Sequence, residues 1–264
     1  MQLRDKRVLI TGGSSGIGFA LAQAMIARGA KVFITGRRQA VLEDALRSLS
    51  SAGGTHADVG TAEGRAITLD EALKWLGGID LLVNNAGGVR AGRLEHTPQA
   101  EIEQMVIVDL LAPILLTQSA LGALRRSGEA MVVNIASGIA LVGAPFYTTY
   151  AAVKAGLAHF GESLRRELKG EGIHVLTAYP GGTDTPMMRS NRAGPELGFS
   201  REPAEAVAMA IIEGIEADVF EVVRGGEARA QMIALNRTDP AAVDARFLSL
   251  KNALEDAVKD HSAL

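Results

Sequence analysis

The apolar run Arg7–Thr11 (RVLIT) breaks directly into TGGSSGIG, which sets Gly12, Gly16 and Gly18 between a strand-like segment and the helical pattern of Gly16–Gly29. A strand that turns through glycines into a helix within so few residues is the start of a βα unit. Glycine allows the sharp turn, and the helix then presents free N–H groups and its positive dipole end at the mouth of that turn. Lys31–Thr35 (KVFIT) follows as a second strand, so the order is strand, turn, helix, strand. In that setting Gly12, Ser14, Ser15, Gly16, Ile17 and Gly18 are candidates to cradle the pyrophosphate of a dinucleotide. A glycine cluster alone would say little, because tight turns of every kind use glycine.

The alternation continues along the chain. Ala40–Leu49 reads as a helix, Thr55–Ala57 as a short β run, and Leu81–Asn84, Ala130–Ile135, Ile173–Ala178 and Val219–Val223 as strands with helical patterns between them. Near-continuous Val, Ile and Leu in such runs means burial on both faces, hence a parallel sheet covered by helices on each side. Right-handed crossovers make this an α/β, doubly wound parallel sheet (a Rossmann fold) of about seven strands. One domain is expected over residues 1–264, with no linker, repeat or low-complexity stretch. Asp184–Arg201, rich in Gly, Pro and Asn, reads as a long mobile loop able to act as a lid over a substrate. Glu227–Leu264 reads as a helical extension. Within it, Thr238-Asp239-Pro240 offers a cap and first-turn proline for a helix through about Lys259.

Bulk properties exclude several roles. Charged residues make up 22% and the net charge is −3, so no basic face is offered to nucleic acid. Cysteine is absent, which removes disulfide and thiolate chemistry and fits a reducing compartment. The segment MQLRDKRVLITGG carries charges where a signal peptide needs an apolar stretch, and no run approaches the ~18 apolar residues of a membrane span. A cytoplasmic protein without a membrane partner is expected. The five histidines, His56, His96, His159, His174 and His261, show no metal-ligand spacing and read as structural or surface residues.

The end of the second strand decides between cofactors. A site for NAD has an acid there to bind the ribose hydroxyls, whereas this chain has Gly36-Arg37-Arg38. A guanidinium matches the oxygens of a 2′-phosphate, so Arg37 first and Arg38 second favour NADP over NAD. The plainer reading of the two arginines is a solvated helix start.

Tyr150 and Lys154 lie one helical turn apart in YAAVK, with Ser137 upstream at the end of the strand pattern MVVNIAS. A tyrosine hydroxyl with its ordinary pKa of about 10 is a poor acid–base group near neutrality. An adjacent ammonium stabilises the phenolate and lowers that value, and positions i and i+4 share a helix face. Tyr150 can then exchange a proton with a substrate oxygen to which Ser137 also hydrogen-bonds. Any amphipathic helix can contain a YxxxK by accident; Ser137 and the glycine loop give this one weight.

With Asp58-Val59, Asn84-Asn85-Ala86-Gly87 and Pro180-Gly181-Gly182-Thr183-Asp184-Thr185 added in order, the sequence resembles the short-chain dehydrogenase/reductase family from about Lys6 to about Gly225. The resemblance implies an oxidoreductase with NAD(P) as hydride acceptor or donor. It implies that Asp58 and Val59 meet the adenine, that Asn84, Ala86 and Gly87 line the middle of the cofactor, and that Tyr150 and Lys154 meet the nicotinamide riboside. Pro180, Gly181, Thr183 and Thr185 would flank the nicotinamide. Two positions depart from the family. Asp109, in Val108-Asp109-Leu110, stands where an asparagine often helps a water link the lysine to solvent. A carboxylate accepts hydrogen bonds, cannot donate them and adds charge near Lys154, so Asp109 is either part of a proton relay or a helix-bend residue. Thr183 replaces a common valine or isoleucine, a mild change where the contact is from the backbone.

By the same resemblance the substrate would sit among Gly138–Val142, Val89, Arg90, Met187 and Met188, a mostly apolar lining suited to a hydrophobic ketone, aldehyde or secondary alcohol. Arg90, Arg189 or Arg192 could meet an anionic group, or could simply be solvated. Helices over about Glu101–Arg125 and Tyr150–Lys169 carry broad apolar faces, which in this family often pair across a two-fold axis, so a homodimer or homotetramer is expected. The tail beyond Gly226 covers the pocket, extends an interface or packs on the sheet. Besides an NADP(H)-dependent oxidoreductase, two readings remain: a non-catalytic NADP-binding sensor or scaffold, towards which only Asp109 leans, and an epimerase or dehydratase, whose glycine spacing and larger C-terminal domain this chain lacks.

Overall fold

The computed structural model describes residues 1–264. Seven parallel strands form the central sheet: β1 (Arg7–Ile10), β2 (Lys31–Gly36), β3 (Gly53–His56), β4 (Leu81–Asn84), β5 (Ala130–Ile135), β6 (Ile173–Tyr179) and β7 (Glu221–Val223). Their spatial order is β3-β2-β1-β4-β5-β6-β7. The order reverses at β1, which pairs with β2 on one side (Val8 to Val32) and with β4 on the other (Val8 to Leu81). Chain connections leave β1 in opposite directions there, which opens a crevice above the carboxyl ends of β1 and β4.

Successive side chains of a strand point to opposite faces, and both faces here are apolar. Val8, Ile10, Val32, Ile34, Leu81 and Val83 pack on one side against α1 (Gly16–Ile26) and α7 (Ala204–Glu216). Leu9, Phe33, Leu82 and Val132 pack on the other against α3 (Ala62–Leu76), α5 (Ala112–Ser127) and α6 (Thr148–Glu167). The remaining layer helix, α2 (Gln39–Leu49), turns Leu42, Ala45 and Leu49 inward. β3 lies slightly earlier than the expected Thr55–Ala57. Gly53 sits under the Trp75 ring and Gly54 beside the Ile34 carbonyl, where a Cβ would come within 2.6 and 2.9 Å of them.

Helix α4 (Gln99–Val106) runs into α5 through a π-helical turn at Ile107–Leu111. The widened turn brings Asp109 inward, where it has no accessible surface, and leaves Val106, Ile107 and Leu111 exposed. The continuous helix Gln99–Ser127 contains an 18-residue window of mean hydropathy 1.7, long and apolar enough by composition to cross a membrane. This corrects the expectation that no segment approaches that length. Asp109, Thr117, Gln118 and Ser119 interrupt the apolar run without lowering the average far, and Leu116, Ala120 and Leu124 on this helix face the sheet.

One other segment differs from expectation. The loop after β6 is anchored: Gly182–Asp184 pairs with Arg201–Pro203, and short 3₁₀ turns fill the interval. The tail is helical, with its second helix opening at the Thr238-Asp239-Pro240 cap read from the sequence. It divides into α8 (Gly226–Thr238) and α9 (Pro240–Val258) at Asp239, whose carboxylate accepts from the Ala242 N–H at 3.1 Å with Pro240 in the first turn. After α9 the chain returns as a short strand, Ser262–Ala263, antiparallel to Val89–Arg90.

Candidate active site

A cavity of about 930 Å³ lies over the carboxyl ends of β1, β4 and β5. At one end is the glycine loop. Gly12 and Gly16 have φ of +65° and +55°, conformations that side chains disfavour. A Cβ on Gly12 would lie 2.9 Å from Ala86 Cα, so the loop and the segment after β4 touch backbone to backbone. Thr11 and Asn85 lock this contact. The Thr11 hydroxyl accepts from the Asn85 and Ala86 N–H groups at 3.0 and 3.1 Å, and the Asn85 amide donates to the Thr11 and Gly12 carbonyls at 2.9 and 3.0 Å.

Gly12, Ser14, Ser15, Gly16, Ile17, Ala86, Gly87, Pro180, Gly181, Thr183 and Thr185 all line the cavity. Gly18 and Asn84 do not. Gly18 is buried behind the loop, where a Cβ would strike the Asn85 amide at 2.4 Å. Asn84 points into the helix layer, donating to the Thr117 hydroxyl at 3.0 Å and to the Asn134 amide oxygen at 2.9 Å. Strand alternation explains it: of two adjacent asparagines, the next one, Asn85, faces the crevice.

Arg37 and Arg38 stand on the wall at the end of β2, both exposed and neither ion-paired. The His56 ring holds the Arg37 carbonyl at 3.0 Å. Ser14 packs against Gly36, where a Cβ would lie 2.7 Å from its hydroxyl, so a serine and two guanidinium groups share one corner. Asp58 and Val59 line the adjacent wall, with Asp58 accepting from the Gly60 N–H at 2.9 Å.

Ser137, Tyr150 and Lys154 meet at the centre of the cavity. Ser137 follows β5 with extended backbone, and its hydroxyl accepts from the Ile139 N–H at 3.4 Å. Tyr150 and Lys154 come from successive turns of α6, with the ammonium 5.7 Å from the centre of the tyrosine ring. Lys154 is buried and donates to the Ile135 carbonyl at 3.1 Å.

Asp109 is not on the cavity wall. It lies behind Gly87 and accepts from Lys154 Nζ at 3.0 Å and from the Gly88 N–H at 3.1 Å. A Cβ on Gly87 would sit 2.6 Å from the Asp109 carboxylate and 3.3 Å from Lys154 Nζ, so a glycine here leaves room for the ion pair. Burial works against the Lys154 charge, but Asp109 and Tyr150 outweigh it and hold the ammonium above the ordinary lysine range. Burial pushes the Tyr150 hydroxyl up; Lys154 draws it down, Asp109 opposes that, and Ser137 assists Lys154.

The other half of the cavity is mainly apolar. Ile139, Val142, Met187 and Met188 line it as expected, and α8, α9 and the terminal strand add Met232, Leu235, Leu250 and Ala263. The tail therefore covers the pocket. Arg90 and Arg192 are turned away from it, Arg90 to Glu101 at 2.9 Å and Arg192 to the Asp256 carbonyl at 2.6 Å, and Arg189 is also absent from the wall.

Two wall residues, Tyr147 and Arg229, lay outside the sequence reading, and a third, His261, was read there only as structural or surface. Tyr147 is buried, accepts from the Asn191 amide at 2.8 Å and packs near Tyr150. His261 is buried against Tyr147 with its ring 3.1 Å from the Ser190 hydroxyl, so it is a pocket histidine. Arg229, from the first turn of α8, reaches the loop after Ser137. Tyr147 carried a signal, one helical turn before Tyr150; the other two depend on how the tail folds back.

Residues 6–196 match the short chain dehydrogenase family. The chain is 31% identical over 253 residues to the ketoacyl reductase HetN of Nostoc sp., covering 92% of this chain and 88% of that protein. It is 31% identical over 221 residues to the 3-oxoacyl-[acyl-carrier-protein] reductase FabG of Vibrio cholerae, covering 79% and 90%. A crystal structure of a short chain dehydrogenase from Burkholderia cenocepacia in complex with NADP superimposes with a TM-score of 0.78 at 30% identity, covering 86% of this chain and 98% of that one. A parallel sheet with its crevice at the β1 switch point, a glycine loop locked to the segment after β4, and these likenesses over most of its length together make the chain a member of the short-chain dehydrogenase/reductase family, an oxidoreductase acting on CH–OH or C=O groups with a nicotinamide dinucleotide.

Proposed function

We propose that the protein is an NADP(H)-dependent oxidoreductase that interconverts a carbonyl group and a secondary alcohol on a small molecule with a hydrophobic body. The observation that carries this reading is one cavity holding a proton-transfer group at its centre, two unpaired arginines at one end and an apolar half at the other.

The cradle fits a dinucleotide. Gly12 and Gly16 take the positive φ that the turn needs, and the absent Cβ atoms of Gly12, Gly16 and Gly87 let the loop close on Ala86, leave room for Thr185 and seat the Asp109–Lys154 pair behind the wall. Gly12, Ser14, Ser15, Gly16 and Ile17 would hold the pyrophosphate, Asp58 and Val59 the adenine, and Ala86, Gly87, Pro180, Gly181, Thr183 and Thr185 the nicotinamide half. Arg37, with Arg38 and Ser14 beside it, supports the choice of NADP, because a guanidinium fork suits a phosphate. NADPH supplies the hydride when bound.

Tyr150 is the proton donor in reduction and the acceptor in oxidation. Its hydroxyl and that of Ser137 would hold the substrate oxygen between them, and this pair stabilises charge that develops on that oxygen. Lys154 favours the phenolate through its ammonium charge and would also hold ribose hydroxyls. Asp109 touches neither substrate nor cofactor in this reading; it positions Lys154 and keeps it charged. Ile139, Val142 and Met187 exclude water from the apolar half. Exposed Val106, Ile107 and Leu111 on one helix support self-association as a dimer or tetramer.

Side-by-side titration with NADPH and NADH, followed by a screen of ketones and aldehydes with the tighter cofactor, tests the reading. Tighter NADPH binding with turnover of at least one carbonyl supports it. NADPH binding without turnover of any carbonyl in a broad panel favours a non-catalytic sensor instead.

A further inference from the structure

The geometry points to Arg229 as the receptor for an oxyanion, a carboxylate or a phosphate, that the substrate carries near its carbonyl group. This inference rests on the oxidoreductase reading above and narrows its substrate from a hydrophobic carbonyl compound to an amphipathic, anionic one.

Several partly buried arginines of this chain are matched with acids. Arg7 pairs with Asp80, Arg90 with Glu101, Arg93 with Glu255, and Arg224 with Glu202. Arg229 is partly buried on the cavity wall with no carboxylate within 4.0 Å. Its side chain makes one hydrogen bond, a long one of 3.4 Å to the Gly138 carbonyl, from a group with five N–H donors. Burial lowers its pKa, and no neighbouring acid raises it again.

Two glycines make room for the side chain. A Cβ on Gly138 would lie 3.1 Å from Arg229 Cζ, and one on Gly225, which precedes α8 at a φ of +105°, would lie 3.0 Å from Arg229 Cβ. Gly138 directly follows Ser137, so the guanidinium stands about one residue from the group assigned to the substrate oxygen. Any oxyanion it binds is therefore only a few bonds from the reacting carbonyl.

The surroundings strengthen such a contact. Ile139, Met232 and Leu235 line the same wall, and charge attraction grows where apolar groups displace water. Of the two acids on the wall, Asp58 belongs to the Arg37 end and Glu202 is neutralised by Arg224. Arg201 and Arg246 also line the cavity without a carboxylate partner, so the substrate half has a positive excess. A planar guanidinium can grip a carboxylate or phosphate with two parallel hydrogen bonds. An apolar chain would lie against Val142, Met187 and Leu250.

The test uses matched substrate pairs: keto acids against their methyl esters, and phosphorylated hydroxyketones against the free ones, each with NADPH. The acid or the phosphate should be favoured in kcat/KM by about tenfold or more, and whichever pair shows the larger gap identifies the oxyanion. Arg229→Gln should close that gap through KM with little change in kcat, and Arg229→Lys should restore part of it. Calorimetry of the hydroxy-acid or hydroxy-phosphate product on the protein–NADP complex should show the same loss without relying on turnover.

Equal use of charged and neutral partners by the natural protein overturns the inference. So does an Arg229→Gln variant that loses both partners alike, which would mark a packing role, or one that loses NADPH affinity, which would assign Arg229 to the cofactor. If no pair is turned over but charged products still bind selectively through Arg229, the oxyanion site stands and the oxidoreductase reading falls.

Discussion

The Asp109 carboxylate lies 3.0 Å from Lys154 Nζ with no accessible surface of its own, so the ammonium beside Tyr150 brings a buried counter-charge with it. Lys154 draws the tyrosine hydroxyl towards phenolate and Asp109 opposes that pull. An asparagine at this place would hold the lysine by a hydrogen bond without the opposing charge. The pair therefore secures the lysine and weakens its effect on the tyrosine, which favours keeping Tyr150 protonated and ready to donate.

Asp109→Asn separates the two effects. The amide oxygen can still accept from Lys154, while the charge that raises Tyr150 is gone. Tyr150 then ionises more readily, and the pH midpoint of kcat/KM for alcohol oxidation moves down. A variant that loses rate with its midpoint unmoved would reduce Asp109 to a packing residue. Asp109→Ala leaves the buried Lys154 without a counter-charge and costs about 3–5 kcal/mol of stability in urea titrations.

Tyr150→Phe keeps the ring and removes the proton. Turnover should fall by about 10²–10⁴-fold, the usual worth of a positioned acid–base group, while NADPH affinity stays within about twofold. Turnover that survives the change would move the proton to another group, of which Tyr147 is the nearest tyrosine.

Arg37→Ala should weaken NADPH by about 10–100-fold, the loss expected for one charge-assisted hydrogen-bonded contact, and NADH by less than about twofold. Fluorescence titration of the bound nicotinamide gives both numbers. Equal losses would leave Arg37 as the solvated helix start that its exposure also allows.

The sheet and the sequence positions of the glycine loop, Ser137, Tyr150 and Lys154 were legible because each depends on local pattern: an apolar run, a turn residue, an i,i+4 spacing. Asn84 and Asn85 mark where local pattern becomes too coarse. Both sit in one motif, and which amide locks the glycine loop and which binds Thr117 and Asn134 follows from the face of β4 that each takes in the packed sheet. The contact between Asp109 and Lys154 depends on a π-helical turn that no periodicity announces, since one residue more per turn swings the carboxylate from a helix flank to the lysine. Arg229 and His261 were out of reach for a different reason. His261 comes to the pocket through the pairing of Ser262–Ala263 with Val89–Arg90, and Arg229 through its reach from α8 to the Gly138 carbonyl, contacts between residues far apart in the chain.

His261 makes that returning tail sensitive to acid. The residue has 1% of its surface exposed, and its pKa is lowered from 6.5 to about 4, first by burial and then by the charges of Arg201 and Arg90. The folded state thus keeps the ring neutral, whereas the unfolded chain takes up a proton below pH 6.5. Stability must therefore fall as pH drops from 6.5 towards about 4, by at most about 3 kcal/mol, and the loss should appear first where the ring holds the tail. The Ala91 N–H, which donates to the His261 carbonyl at 2.9 Å, reports on this directly. Its hydrogen-exchange protection should decrease between pH 6.5 and 4 in the natural protein, after correction for the intrinsic exchange rate. In His261→Gln, whose amide can still meet Ser190 but does not titrate, protection should be flat over the same range. A parallel decrease in both proteins would place the acid response in another group and leave His261 as a packing residue between Tyr147 and Ser190.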